Sequence, residues 1–211
     1  MQMSPGNASL DLLNRVADEV QQTFSERHHK ITAAIESDRA FQVDRRPLSA
    51  LVRALVLKAV SVGASQVGMD AQTIAGGGVE LLVFEGIYLH HFRVRTATRD
   101  EDGNLQIIVN GDPAEDFSSG SINDQGTFVV DEHWVFAYIY DDEGFIQELL
   151  AAKVLGVTDT KVRKLRLCPA IALGTPAGSS PPPGGFRPAD EDDLAGLEDD
   201  VEDDESGSAG A

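Results

Sequence analysis

The sequence predicts an α+β domain: N-terminal helices packed on one face of an antiparallel sheet of about four to six strands, followed by a disordered acidic C-terminal tail. Three observations carry that prediction. Apolar residues recur every three or four positions up to about residue 63. After Gly76-Gly77-Gly78 the apolar period falls to two. At Gly174 the composition turns abruptly to Gly, Pro and Ser, and then to acids. The implied organisation is a flexible N-terminus over 1–8, a single α+β domain over 9–173, and a linker with an acidic tail over 174–211. Helices followed by strands argue against a doubly wound parallel sheet, which interleaves the two.

The first helix is expected from Ser9, an N-cap residue with Asp11 in the turn that follows. Leu10, Leu13, Ala17, Val20 and Phe24 form its stripe, and Arg27, Ile31 and Ala34 extend the series. That stripe fits a core-docking helix, interrupted around His28-His29. Its alternative is a dimerising coiled coil, which makes homo-oligomerisation through this helix an open expectation. A second helix starts at Pro47 and runs to about Gly63, with Leu48, Leu51, Val52, Leu55, Ala59 and Val62 apolar and Arg53 and Lys58 on the wet side.

Val79–Thr98 reads as one long strand, turned by Asp100-Glu101-Asp102-Gly103-Asn104 into Leu105–Val109. The segment over 111–126 is polar and glycine-rich, as a surface loop would be. Thr127–Tyr140 is a third strand, and Asp141-Asp142-Glu143-Gly144 turns it into Phe145–Val154, which suits strand or helix equally. Val162–Leu173 is a final strand with Pro169 at an edge or bulge. No internal repeat stands out. The expected core includes Leu51, Leu55, Phe84, Tyr88, Phe92, Trp134 and Phe136.

The formal net charge is −18. Residues 187–211 hold one Arg and eleven acids, and residues 1–186 hold 16 Lys and Arg against 24 acids, so the body alone carries −8. An acidic body disfavours direct binding to nucleic acid, whose phosphates demand Lys and Arg. It attracts basic patches on a protein partner instead. The single cysteine, Cys168, excludes an internal disulfide and reads as a small buried hydrophobe. Met1–Asn7 lacks the pattern of a signal peptide, and no uncharged apolar run of about 18 residues stands out, so no membrane contact and a cytoplasmic location are expected.

Catalytic motifs are not met. Gly76-Gly77-Gly78 lacks the Gly-Lys-Ser/Thr of a phosphate loop. His28-His29 on a helix and His90-His91 on a strand point apart, so neither pair chelates one ion, and no metal or cofactor is assigned. Glu148 and Lys153 have the wrong spacing for a strand-borne nuclease motif, and no Gly-x-Ser-x-Gly elbow occurs.

One feature departs from the acidic background. Alternation along 85–99 places Arg93, Arg95 and Arg99 on one side of one strand, with His91 at its upper end. Such a row is either a set of structural pairs with acids on neighbouring segments or a binding face for carboxylates or phosphates on a partner. In the second case the acidic tail is an internal competitor for that face. The functional expectation is a non-catalytic interaction or regulatory protein that binds a protein partner. A hydrolase, metal-dependent or not, assembled from dispersed acids and His91 or His133, is the first alternative, and an acidic mimic of nucleic acid is the second.

Overall fold

The computed structural model describes residues 6–109, 121–122 and 128–174. The acidic tail from residue 175, the loop over 111–120 and 123–126, and Met1–Pro5 lie outside the described residues.

Helix α1 (Asn7–Glu36) is followed by a 3₁₀ turn (Arg39–Gln42) and helix α2 (Arg46–Val67). Among the described residues ten strands come next: β1 (Asp70–Ile74), β2 (Gly78–Glu85), β3 (Tyr88–Thr96), β4 (Thr98–Arg99), β5 (Leu105–Gln106), β6 (Ser121–Ile122), β7 (Phe128–Tyr140), β8 (Ile146–Val157), β9 (Leu165–Leu167) and β10 (Ile171–Ala172). The main sheet runs β1-β2-β3-β7-β8-β10, with β6 also on β7 and β9 also on β8; β4 and β5 form a separate ribbon. The predicted α+β class, with N-terminal helices on a mostly antiparallel sheet, is the observed one. The exception is β3–β7, which is parallel because the chain crosses back from the end of β3 to enter β7 from the same side.

Several local boundaries differ from the sequence reading. The first helix starts at Asn7 with Gly6 as N-cap, which places structure inside the segment expected to be flexible. Ser9 is not the cap. Its Oγ donates to Glu85 Oε2 at 2.8 Å beside the Gly6 amide at 2.9 Å, so a carboxylate from β2 serves the helix N-terminus across the fold. Helix α1 is unbroken at His28-His29. Its buried stripe passes through His28, four residues after Phe24, and Arg27 stays exposed.

Helix α2 runs four residues past Gly63. A side chain there would meet Val16 Cα at 3.2 Å, so this glycine allows α1 and α2 to approach closely. The continuous helix of 22 residues, whose most apolar 18-residue stretch has a mean hydropathy of 1.6, is long and apolar enough to cross a bilayer by length and composition. Here its Val52, Val56, Ala59, Val60 and Ala64 are packed into the protein core, and Leu51 and Leu55 sit half-buried beside that face.

The long strand expected over 79–98 is itself a hairpin, because Gly86, at φ +63, turns β2 into β3. The turn reverses the relation between numbering and face. In β2 the odd residues Val79, Leu81 and Val83 join the core, and in β3 the even residues His90, Phe92 and Val94 are the buried ones. Phe84, expected in the core, is therefore on the outer face and 68% exposed. Gly76-Gly77 closes the hairpin from β1 to β2. The ambiguous segment after Gly144 is strand β8, with Gly156 at a bulge.

Two apolar cores result. The helices cover Leu81, Phe92, Trp134, Phe136 and Ala151 on the inner face. On the outer face Ala97, Ile107, Val135, Ala137, Leu150 and Ala152 form a second cluster, with Leu105, Leu165 and Leu167 packed against it. This second cluster spans the β7–β8 half of the sheet.

Candidate functional site

Period-two alternation sends the adjacent residues His90 and His91 to opposite faces of the sheet. On the outer face, pairing of β2, β3 and β7 aligns Leu82 with His91 and His91 with His133, and Leu89 with both Phe84 and Asp131. His91 Nδ1 lies 3.2 Å from Glu80 Oε2, and its Nε2 lies 3.3 Å from Asp131 Oδ1. A ring facing a carboxylate at each nitrogen is satisfied as the doubly donating imidazolium. Its pKa is raised, first by the hydrogen bond to Glu80, against the opposing effect of burial, with Asp131 adding to the rise. The His133 ring stands 5.1 Å from it, centroid to centroid.

Arg93 Nε donates to Glu80 Oε1 at 2.8 Å. Burial alone would raise the pKa of Glu80, but hydrogen bonds from His91 and Arg93 and the two positive charges outweigh it and hold the carboxyl at about 2. The four groups Glu80, His91, Arg93 and Asp131 thus neutralise one another in a half-buried patch that bridges three strands.

The predicted arginine row does not persist as one row. Arg93 and Arg95 share the outer side of β3, where Arg95 is exposed. Ala97 keeps to the same side but is buried in the second core, and Arg99 belongs to β4, in a different sheet. Arg99 pairs through Nε and Nη2 with both oxygens of Glu148 and donates from Nη1 to the Gly103 carbonyl. Glu80 serves Arg93 and Glu148 serves Arg99, so each of these pairs joins residues far apart in sequence that the fold brings together.

On the inner face, buried His90 has Nε2 3.4 Å from Glu85 Oε2 and Nδ1 3.3 Å from Glu132 Oε2, with no hydrogen bond made by Nδ1. Glu132 also accepts from Lys153 Nζ at 2.6 Å and from Trp134 Nε1 at 3.3 Å. This second polar cluster is centred on buried His90 and Glu132 and reaches the N-terminus of α1 through Glu85, which like Lys153 is partly exposed. Among the described residues no three His, Cys, Asp or Glu side chains converge to hold a metal ion.

The outer patch also has an apolar flank, of which the sequence reading assigned Phe84 to the core. Phe84, 68% exposed, and Ile87, 52% exposed, stand at the β2–β3 end beside half-buried Leu82 and Leu89. Recognising Gly86 as a turn within the apolar run would have revealed this flank. No family model matches the chain, and neither the curated proteins nor the solved structures provide a match.

Proposed function

We propose that the protein is a non-catalytic binding protein that captures a protein partner on the outer face of β2 and β3. The observation that carries this reading is Phe84, a large aromatic side chain 68% exposed near the turn of a regular hairpin, flanked by Leu82, Ile87 and Leu89. A contiguous apolar patch bordered by charge is the usual form of a protein interaction site. His91, Arg93 and Arg95 lie along the same face. Residues 1–186 carry −8 as a whole, so a partner that presents an apolar anchor and basic groups farther from it is drawn towards this body.

The geometry gives less support to a hydrolase, although Glu80, His91 and Asp131 do converge. A carboxylate held at about 2 is a weak base at neutral pH, and an imidazole whose pKa is raised between two carboxylates is shifted towards the protonated form, the wrong one for a general base.

The test is site-specific photocrosslinking in the host. A crosslinking residue at position 84 should trap one predominant protein, and the same residue at Arg15, on the exposed side of α1, should not. Arg95→Glu, or raised salt, should alter the yield at 84, since rim charges govern encounter rates. Equal, promiscuous products at both positions would sink the proposal.

A further inference from the structure

The corner between α1 and α2 has both halves of a self-complementary contact. A groove of about 800 Å³ runs along the second half of α1. Its lining includes His29, Thr32, Ile35 and Leu48, and it is closed on one side by His28 stacked on Phe145 at 3.5 Å between ring centroids. The lining residues of α1 span Ser25 to Glu36, about 16 Å at ~1.5 Å per residue. Glu36, Asp142 and Glu143 put carboxylates on its rim.

Beside this groove the connection between the helices raises an apolar and basic ridge. Phe41 is 43% exposed and Val43 81% exposed, and Arg39, Arg45 and Arg46 surround them. The ridge is fixed relative to the groove. Gln42 Nε2 reaches the Ile35 carbonyl at 3.5 Å, and Arg45 forms an ion pair with Asp142 on the rim.

We propose that a second copy of this chain occupies the groove. A knob and a hole side by side on one surface are what a two-fold axis converts into two identical contacts, each copy's Phe41–Val43 ridge entering the other's groove. The charges agree: Arg39 and Arg46 of one copy meet Glu36 and Glu143 of the other. The acidic body opposes self-association in general, but this corner is its exception. Residues 26–46 hold five Lys and Arg against four Asp and Glu, so two copies approach here with little mutual repulsion. The contact uses neither Phe84 nor the β2–β3 face, so it stands or falls separately from partner capture there.

Sedimentation of the full chain over micromolar to near-millimolar loading tests the proposal. The wild type should show a monomer–dimer equilibrium. Phe41→Ser with Val43→Asp removes the knob, and Ala33→Arg fills the hole; both changes are at exposed positions, and unchanged thermal midpoints check that each variant folds. Each variant should dimerise at least about tenfold more weakly. Mixing the two should restore heterodimer, weaker than the wild-type dimer, because the intact knob of one variant still meets the intact groove of the other. A wild type monomeric throughout, a dimer indifferent to both variants, or a mixture no stronger than either variant alone overturns the proposal.

Discussion

The turn between β4 and β5 and the turn between β7 and β8 carry the same three residues at the same spacing: Asp, Gly three positions on, and Gln six positions on. Around Asp100 the amides of Asp102 and Asn104 donate to Oδ1, and Gln106 Nε2 donates to Oδ2. Around Asp141 the amides of Glu143 and Phe145 donate to Oδ1, and Gln147 Nε2 donates to Oδ2. Both aspartates close the loop through their own amides, and both glycines, Gly103 and Gly144, donate back to the aspartate carbonyl. The conformation is locally encoded, as side-chain bonding of Asp to nearby amides would predict. Their surroundings differ. A Cβ added at Gly103 would meet nothing within 4 Å, whereas Gly144 is seated on Leu48 and Val52 of α2, and the Glu143 carbonyl accepts from His28 Nε2 at 2.9 Å. One turn serves only to reverse the chain, and the other also docks the β7–β8 hairpin onto both helices and forms a wall of the groove.

The largest predicted difference follows from the glycines. Gly103 has φ +80 and Gly144 φ +89, so alanine at either position meets the left-handed penalty of about 1–2 kcal/mol. At Gly144 the added methyl would also lie 2.9 Å from Leu48 Cδ1 and 3.0 Å from Val52 Cγ2. Overpacking of that kind costs roughly a further 1–3 kcal/mol. Urea unfolding should therefore show Gly144→Ala clearly less stable than Gly103→Ala. Equal losses would mean that the docked turn moves freely away from α2, and the comparison would fail.

How the sequence spoke about these turns shows where its legibility ends. Both Asp-rich segments were recognisable as turns, since acids and glycine between two apolar runs have few other uses. The shared glutamine was not, because its role depends on a hydrogen bond across six residues that exists only once the strands pair. The helices and the α+β class were legible from apolar period alone. The parity of the outer face was not, because a single unremarked glycine, Gly86, exchanged odd for even and moved Phe84 from the expected core to the surface. The arginine row failed for a related reason. Arg99 lies past the end of β3, in a separate ribbon, and where a strand stops is decided by the pairing of its neighbours rather than by its own alternation.

A smaller effect is expected at the docked aspartate. Asp141→Ala removes the acceptor of two backbone amides and of Gln147, and hydrogen bonds of this kind contribute about 1 kcal/mol net. Because the Glu143 carbonyl and Phe145 both contact His28, its effect and that of His28→Ala should not add, as groups in one network rarely do. Strict additivity in a double-mutant cycle would show that the turn and the helix are energetically separate.

The smallest effect belongs to the exposed turn and is read by pH. The Asp100 carboxyl is held below its ordinary value of 3.8, first by the amide of Gln106 and then by the backbone amide of Asn104, against a minor opposing effect of burial. A carboxylate whose folded pKa is depressed contributes stability that is present above its unfolded value and is lost as pH falls through the lower folded value. For a side chain this open to water the contribution is slight, so the informative quantity is the titration midpoint rather than the unfolding free energy. Carbon-detected NMR of the Asp100 side chain should place that midpoint below 3.8. Gln106→Ala should move it upward, because the substitution deletes the largest favourable contact to the ionised form. The fold should stay intact, since the backbone amides of Asp102 and Asn104 still hold the turn. An identical midpoint in the two proteins would show that the glutamine six positions on contributes nothing to the aspartate. The likeness between the two turns would then reduce to aspartate and glycine alone.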